Sequence, residues 1–435
     1  MNKHADGSSG RKKHMMPKIL LLVTSICLSF LMAEFVLRKS RPPDTGKSYE
    51  FRVPHPVYGW VLQAGASYRN YLPEATVRVS YNSEGWRDVE HSKEKSAGVF
   101  RILVLGDSFM EAYSVDLESS FHKRVEGMIR KLGVQAELIN MGVGGYGTLQ
   151  EYLVFRQEGI VYSPDIVLLG FYVSNDVTNN SMELEAMLVD VKSEIHSRPF
   201  LDPKKTAEWK IIPVDIDGAR RRYEQAQSIN YPLGKTLTRR SVLLWIVSEE
   251  IMRVVNQVSS FFENTSNSDN ESERVHIENM RLALSGVHYC NEPPEFTRAW
   301  DITKRILFRL KHDVESNGGR LIVFTVPSID ESRVDNEKER VDSSSHAVSG
   351  CLKKTAGYNR LHQVLDEVGV ELIDLLPEFR RVTKEKGVEL FWKSDRHWNS
   401  EGHAFAAERV VSELTKMKLL ENSDSIPGEN NQPGQ

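Results

Sequence analysis

From residue 100 onward, short continuous apolar runs alternate with segments whose apolar residues return at helical spacing. Arg101-Ile102-Leu103-Val104-Leu105 is such a run, ended by Gly106. Phe121, Val125, Met128, Ile129 and Leu132 then mark one face of a helix. Ala136 to Asn140 reads as a second strand, Thr148 to Gly159 as a helix, and Asp165 to Phe171 as a third strand. Strands without polar alternation, separated by amphipathic helices, imply a parallel sheet covered on both faces.

The pattern breaks at about residue 177 and returns near 300, where Ile302, Ile306, Leu307 and Leu310 lead into the strand Arg320 to Val326. A helix around Leu361 to Val368, the strand Glu371 to Asp374 and a last helix from about Glu401 to Met417 follow. The expected fold is α/β: a flavodoxin-like three-layer α/β/α sandwich with a parallel five-stranded sheet, spanning 100–420 and interrupted by a large insertion at about 182–300. Within the insertion, Val242 to Phe262 is a long apolar helix candidate, read as packed over the domain or as a membrane-lying or partner surface. Residues 263–273 read as a polar loop, and the tail 421–435 as disordered.

Upstream, Thr76-Val77-Arg78-Val79-Ser80-Tyr81 alternates with period two, a half-buried strand in a stretch, 38–99, that reads as linker and small β element. Residues 19–37 form an apolar run broken by the single charge of Glu34 and preceded by Arg11, Lys12, Lys13 and Lys18. Its length lies between a signal-peptide core and a full span, and no small-x-small cleavage site follows it. The expectation is an uncleaved transmembrane signal anchor, with 1–18 cytoplasmic and the catalytic part extracytoplasmic, in the periplasm or at the cell surface. A cleaved signal and a buried core helix are the competing readings.

Composition narrows the function classes. Net charge is -4 over 435 residues and no basic run stands outside the N-terminus, so the chain lacks the electrostatic footprint of a nucleic-acid binder. Cys27 lies in the apolar run, leaving Cys290 and Cys351 to pair as one disulfide or to stay buried thiols. Neither has metal-site spacing, so no metal and no cofactor is expected. Asn179, Asn264 and Asn270 open N-x-S/T matches, which matter only in a eukaryotic secretory pathway.

Candidate chemistry gathers at the predicted strand ends, where ligands bind in open α/β sheets. Gly106-Asp107-Ser108-Phe109 follows the first strand. Alone it reads equally as a turn whose Asp and Ser satisfy local backbone donors. A serine nucleophile also needs a base, an orienting acid and oxyanion donors. The glycine-rich loop Asn140 to Thr148, containing Gly145, follows the second strand, and Val173-Ser174-Asn175-Asp176 follows the third. Ser394-Asp395-Arg396-His397-Trp398-Asn399 precedes the last helix, where an extended segment lets Asp395 and His397 point the same way. His403 falls inside that helix and is the weaker base candidate.

These blocks, in this order, resemble the SGNH or GDSL hydrolase superfamily from about Asn82 to the final helix, excluding the insertion. The segment Asn82 to Arg87 is similar to one that commonly precedes the nucleophile in membrane-anchored bacterial members. The resemblance implies a Ser108–His397–Asp395 triad, with the N–H of Ser108, the N–H of Gly145 and the Asn175 side chain as oxyanion hole. Two positions depart from the pattern. Val173 replaces a usual glycine, and the last block is Asp-x-His followed by Trp398 rather than Asp-x-x-His, which is similar to alginate-type and other polysaccharide O-acetyltransferases. The implied function is an O-acyl, chiefly O-acetyl, esterase acting on an acylated small molecule, lipid or carbohydrate. The alternatives are an O-acetyltransferase acting on a cell-envelope or extracellular polysaccharide, and an inactive carbohydrate-binding protein. Gly142-Val143-Gly144-Gly145-Tyr146-Gly147 satisfies a dinucleotide pattern, but it follows the second strand and lacks the acidic partner about 20 residues on.

Overall fold

In the computed structural model the described residues are 9–40, 46–188, 197–205, 208–228, 241, 243–244, 271–333, 340–341 and 351–420. The chain divides into two compact units, Met1–Thr45 with Glu224–Asp269, and Gly46–Tyr223 with Asn270–Gln435. The first holds the helix Ser9–Ser40, whose stretch Leu20–Leu37 has a mean hydropathy of 2.3 and is long and apolar enough to cross a membrane. Its polar side chains Thr24 and Ser29 donate back to the carbonyls of Leu20 and Ser25, so neither hydroxyl lacks an acceptor. Glu34 accepts from the Ser241 hydroxyl and the Leu243 N–H. The helix candidate Val242 to Phe262 lies outside the described residues except for 243 and 244, as does the tail 421–435.

The second unit is built on a five-stranded parallel sheet. Its strands follow two N-terminal hairpins, β1 (Arg52–His55) with β2 (Gly59–Leu62) and β3 (Ser67–Tyr71) with β4 (Thr76–Ser80). The sheet strands β5 (Phe100–Leu105), β6 (Ala136–Asn140) and β7 (Ile166–Phe171) come next. A short pair, β8 (Phe200–Leu201) with β9 (Ile211–Ile212), falls in the insertion. The strand β10 (Arg320–Thr325) rejoins the sheet, β11 (Arg340–Val341) pairs with β12 (Cys351–Leu352), and β13 (Glu371–Ile373) is last. The sheet order is β13-β10-β7-β5-β6, all pairs parallel. This is the doubly wound order with a reversal point between β5 and β7, where a crevice opens beyond the strands' carboxyl ends.

Both faces of the sheet are buried, as the unbroken apolar strands require. Ile102 and Val104 pack with Phe121, Val125 and Ile129 and with Ala406, Val410 and Leu414 of the helix Ser400–Lys416. Leu103 and Leu105, pointing the other way, join Leu149, Leu153, Ile306, Leu307, Leu310 and Leu361. The fold is thus the expected three-layer α/β/α sandwich. From residue 46 on, the stretch read as linker is folded: Tyr58, Leu62, Tyr68, Val77, Val79 and Trp86 belong to the same core as Leu103 and Leu105. β4 keeps the expected alternation, with Val77 and Val79 buried between exposed Thr76, Arg78 and Ser80.

Other local expectations shift. Residues 271–273, read as loop, open the helix Glu271–Ser285, and a helix over Leu376–Lys386 went unread. Cys290 and Cys351 form a disulfide with Cα atoms 5.3 Å apart. Asn179 is buried and bonded to Asn175 and Gly145, which removes it as an accessible glycosylation acceptor.

Candidate active site

The nucleophile candidate is placed by a tight turn off β5. Gly106 adopts φ +153°, a conformation open to glycine alone, and a Cβ there would meet Met110 Cγ at 2.5 Å. Asp107 caps the one-turn helix Ser108–Glu111 by accepting from the Phe109 N–H at 3.0 Å. Ser108 therefore occupies the first turn, and its N–H has no acceptor among the described residues.

His397 reaches Ser108 from the far end of the chain, with Nε2 2.8 Å from Oγ. Its Nδ1 lies 3.0 Å from Asp395 Oδ2 and 3.1 Å from the Asp395 carbonyl oxygen. A carbonyl only accepts, so the imidazole proton sits on Nδ1 and Nε2 is left to accept from the Ser108 hydroxyl. Burial alone would lower the His397 pKa, but the hydrogen bond and charge of Asp395, with the charge of Asp107, raise it above the usual histidine value.

The segment carrying Asp395 and His397 is not extended as the spacing predicts. Arg396 has φ +67°, and this left-handed residue is what turns both neighbours inward. Long-range contacts hold the turn. The Trp392 N–H donates to His397 O at 2.9 Å, Arg396 N–H to Trp392 O at 3.0 Å, and Phe391 bridges to Trp398. Trp398 is fully buried against Phe109 and Phe379, its indole donating to Pro327 O at 3.0 Å. Asn399 caps the last helix through the Gly402 N–H. His403 packs in the core against Trp398, where burial holds its pKa well below the ordinary value.

The structure brings the remaining candidates to the same crevice. Val173, in place of glycine, begins the helix Val173–Asn180, so Asn175 lies in a helical first turn. Its Nδ2 donates to Asp107 Oδ2 at 2.7 Å, and its Oδ1 accepts from Asn179. One N–H of that amide remains to be given elsewhere. Gly145 adopts φ +79°, and its N–H has no acceptor among the described residues. Its carbonyl accepts from Asn179 and Arg198, while the Gly144 N–H donates to Glu111 Oε2 at 2.7 Å.

Several residues around the site escaped sequence reading. Glu111 is buried and also accepts from Ser48 and Tyr81, and the Tyr113 hydroxyl lies 3.4 Å from His397 Nδ1. Arg52 and Trp60 arrive from the first hairpin. Behind the site, burial raises the pKa values of Asp107, Asp176 and Glu151, and the charges of neighbouring carboxyls raise the last two further. Glu111 and Tyr113 lie just beyond the Gly106 turn, where helical spacing from Ser108 would have found Glu111, while Arg52 and Trp60 come from a distant hairpin without a motif. Among the described residues no group of three or more His, Cys, Asp or Glu side chains could hold a metal ion.

Residues 293–430 match the family described as SGNH hydrolase-like domain, acetyltransferase AlgX. No curated protein matches the chain. Solved structures similar to it include LAE5, an alpha/beta hydrolase enzyme from the metagenome of Lake Arreo, Spain, at 12% identity and TM-score 0.36 over 76% of this chain and 99% of that one. A single-residue variant of Axe2, an acetyl xylan esterase from Geobacillus stearothermophilus, matches at 13% identity and TM-score 0.35 over 74% and 97%. The acetyl xylan esterase AlAXEase matches at 12% identity and TM-score 0.33 over 72% and 100%. The family match supports the resemblance to the SGNH superfamily, with an AlgX-like last block, and with it an ester-acting enzyme.

Proposed function

We propose that the chain is an SGNH-type O-acyl esterase that carries an acyl group, chiefly acetyl, on Ser108. The observation that carries this reading is the chain of contacts from Ser108 Oγ to His397 Nε2 at 2.8 Å and from Nδ1 to Asp395 Oδ2 at 3.0 Å. Ser108 Oγ attacks the ester carbonyl as its proton passes to His397 Nε2, and the carbonyl electron pair moves onto oxygen. The unpartnered N–H groups of Ser108 and Gly145 and the spare N–H of Asn175 receive that charge. Collapse expels the alcohol, which takes the proton from His397. An incoming hydroxyl then gives its proton to His397 as it attacks the acyl carbon, and collapse of that second intermediate releases Ser108, whose Oγ takes the proton back from His397.

Water as the incoming hydroxyl makes an esterase, and a sugar hydroxyl makes an O-acetyltransferase. The Asp-x-His-Trp block and the AlgX match of residues 293–430 favour the second acceptor as the alternative, with an acylated carbohydrate as substrate. The helix Ser9–Ser40 is read as an uncleaved anchor with the catalytic unit extracytoplasmic, carrying the enzyme to envelope or extracellular substrates. Fluorophosphonate labelling of the wild type, lost in Ser108→Ala, is the expected result; an unlabelled wild type marks a binding protein instead. Incubation with p-nitrophenyl acetate and oligosaccharide acceptors, read by mass spectrometry, separates free acetate from acetylated sugar.

A further inference from the structure

Hairpin β1–β2 lies outside the sheet, yet it is attached to the glycine loop at several points. The Trp60 indole N–H donates to Gly144 O at 3.3 Å, the Tyr146 hydroxyl donates to Trp60 O, and the two rings meet edge-on at 5.5 Å. A trans peptide is planar, so its C=O and the next N–H point in opposite directions. Fixing the Gly144 carbonyl toward Trp60 therefore fixes the Gly145 N–H away from it, and that N–H is the one without an acceptor among the described residues.

Trp60 also carries two guanidinium groups, Arg52 at 5.3 Å and Arg198 at 5.2 Å from a ring centroid. Arg198 is engaged: it donates to Gly145 O and Gln150 and pairs with Glu185. Arg52 has no hydrogen-bond or ion-pair partner among the described residues, and its buried Nε is unmatched. Its position is marked by Gly144. A Cβ there would stand 2.7 Å from Arg52 Nη2, 2.9 Å from Glu111 Oε2 and 3.5 Å from Ser108 Cβ. The guanidinium is thus packed against Gly144 more closely than any side chain there would allow, on the side of the loop that also faces Ser108. Glu111, whose Oε2 also lies close to Gly144, already accepts from Ser48, Tyr81 and the Gly144 N–H.

We propose that hairpin β1–β2 completes the oxyanion site, with Arg52 as a catalytic residue meeting the charge on the acyl oxygen and Trp60 as the positioning residue for the Gly145 N–H. This rests on acyl transfer to Ser108. The ester is neutral and the tetrahedral intermediate anionic, so a cation beside Ser108 acts chiefly on turnover rather than on substrate binding.

The test uses the full-length chain in detergent with p-nitrophenyl acetate. Arg52→Gln is expected to lower kcat about a hundredfold with KM held within about twofold, as for loss of one oxyanion donor. Arg52→Lys, which keeps the charge, recovers part of that loss. Trp60→Phe keeps a ring for Arg52 but removes the indole donor, and lowers kcat about tenfold at unchanged KM through a misaligned peptide. In all three variants fluorophosphonate labels Ser108 to completion, more slowly in step with kcat. Complete labelling with unchanged kcat in Arg52→Gln, or a loss confined to KM, overturns the proposal alone. A Lys variant no better than Gln also overturns it, because charge is then not what the position supplies. Failure of the wild type to label overturns the Ser108 reading and this proposal with it.

Discussion

The two segments that carry the proposed nucleophile and its proposed base, Gly106–Glu111 and Leu390–Asn399, are built in opposite ways. The first is shaped by its own residues: a glycine at φ +153°, an Asp cap and a single helical turn. The second has a left-handed Arg396 at its centre and depends on Trp398, buried against Phe109 and Phe379, and on Trp392, whose indole donates to Ser114 O. A nucleophile can be positioned by a local backbone program because it follows directly from a rigid strand. A proposed base that arrives 289 residues later must be clamped by the tertiary structure.

Removing either reacting group gives the largest expected effect. Ser108→Ala and His397→Ala should each lower kcat by about 10⁴-fold or more, and the double variant should be no worse than either single one, since groups acting as a unit are not additive. Additive losses measured in steady-state kinetics would break the assignment of both segments to one reaction. Next, Asn175→Ala should reduce kcat about a hundredfold or more. It should also destabilise the fold by roughly 1–3 kcal/mol, because the buried Asp107 carboxyl loses a donor. Unchanged turnover beside a lowered Tm would reduce Asn175 to a structural role.

The segments should also differ in how they fail. Trp398→Ala should cost about 3–5 kcal/mol of stability from the emptied aromatic site, and should lower kcat in the surviving folded fraction as the imidazole drifts. Gly106→Ala acts locally, through the forced contact with Met110 and the unfavourable backbone, at roughly 1–3 kcal/mol. Thermal melts alongside fluorophosphonate labelling distinguish the two patterns. The smallest effect is on pH. His397 must be neutral to act as base, and its raised pKa places the acid limb of kcat/KM above the ordinary histidine value of about 6.5. Asp395→Asn removes the group that favours the imidazolium, so burial should carry that limb to lower pH. A limb that stays in place would show that Asp395 does not govern the titration.

Much of this architecture was legible along the chain. Five apolar runs became the five sheet strands, because a strand covered on both faces leaves no place for alternating polarity. The period-two pattern from Thr76 likewise became β4, with alternate residues buried. The blocks around Ser108, Gly145, Asn175 and His397 stood out because a parallel sheet delivers successive strand ends to one edge. The short-range geometry was less legible. Asp395 and His397 meet through the left-handed Arg396 rather than an extended segment, and Val173 opens a helix rather than the loop a glycine would suggest.

The sequence by itself determined the order of the sheet elements, the candidate nucleophile and base, and the apolar N-terminal helix. The strands and helices follow from periodicity, whereas Ser108 and His397 stood out only when the blocks at separate strand ends were taken together, because Gly106-Asp107-Ser108 alone reads equally as a turn. Only the tertiary structure decided that Arg52 and Trp60 border the glycine loop, that Trp398 packs on Phe109 beside His397, and that Asp107 engages Asn175. Those contacts join residues from 68 to 289 positions apart (398 − 109 for Trp398 and Phe109) through folding of the whole chain, and no local pattern of hydrophobic and polar residues encodes such a meeting.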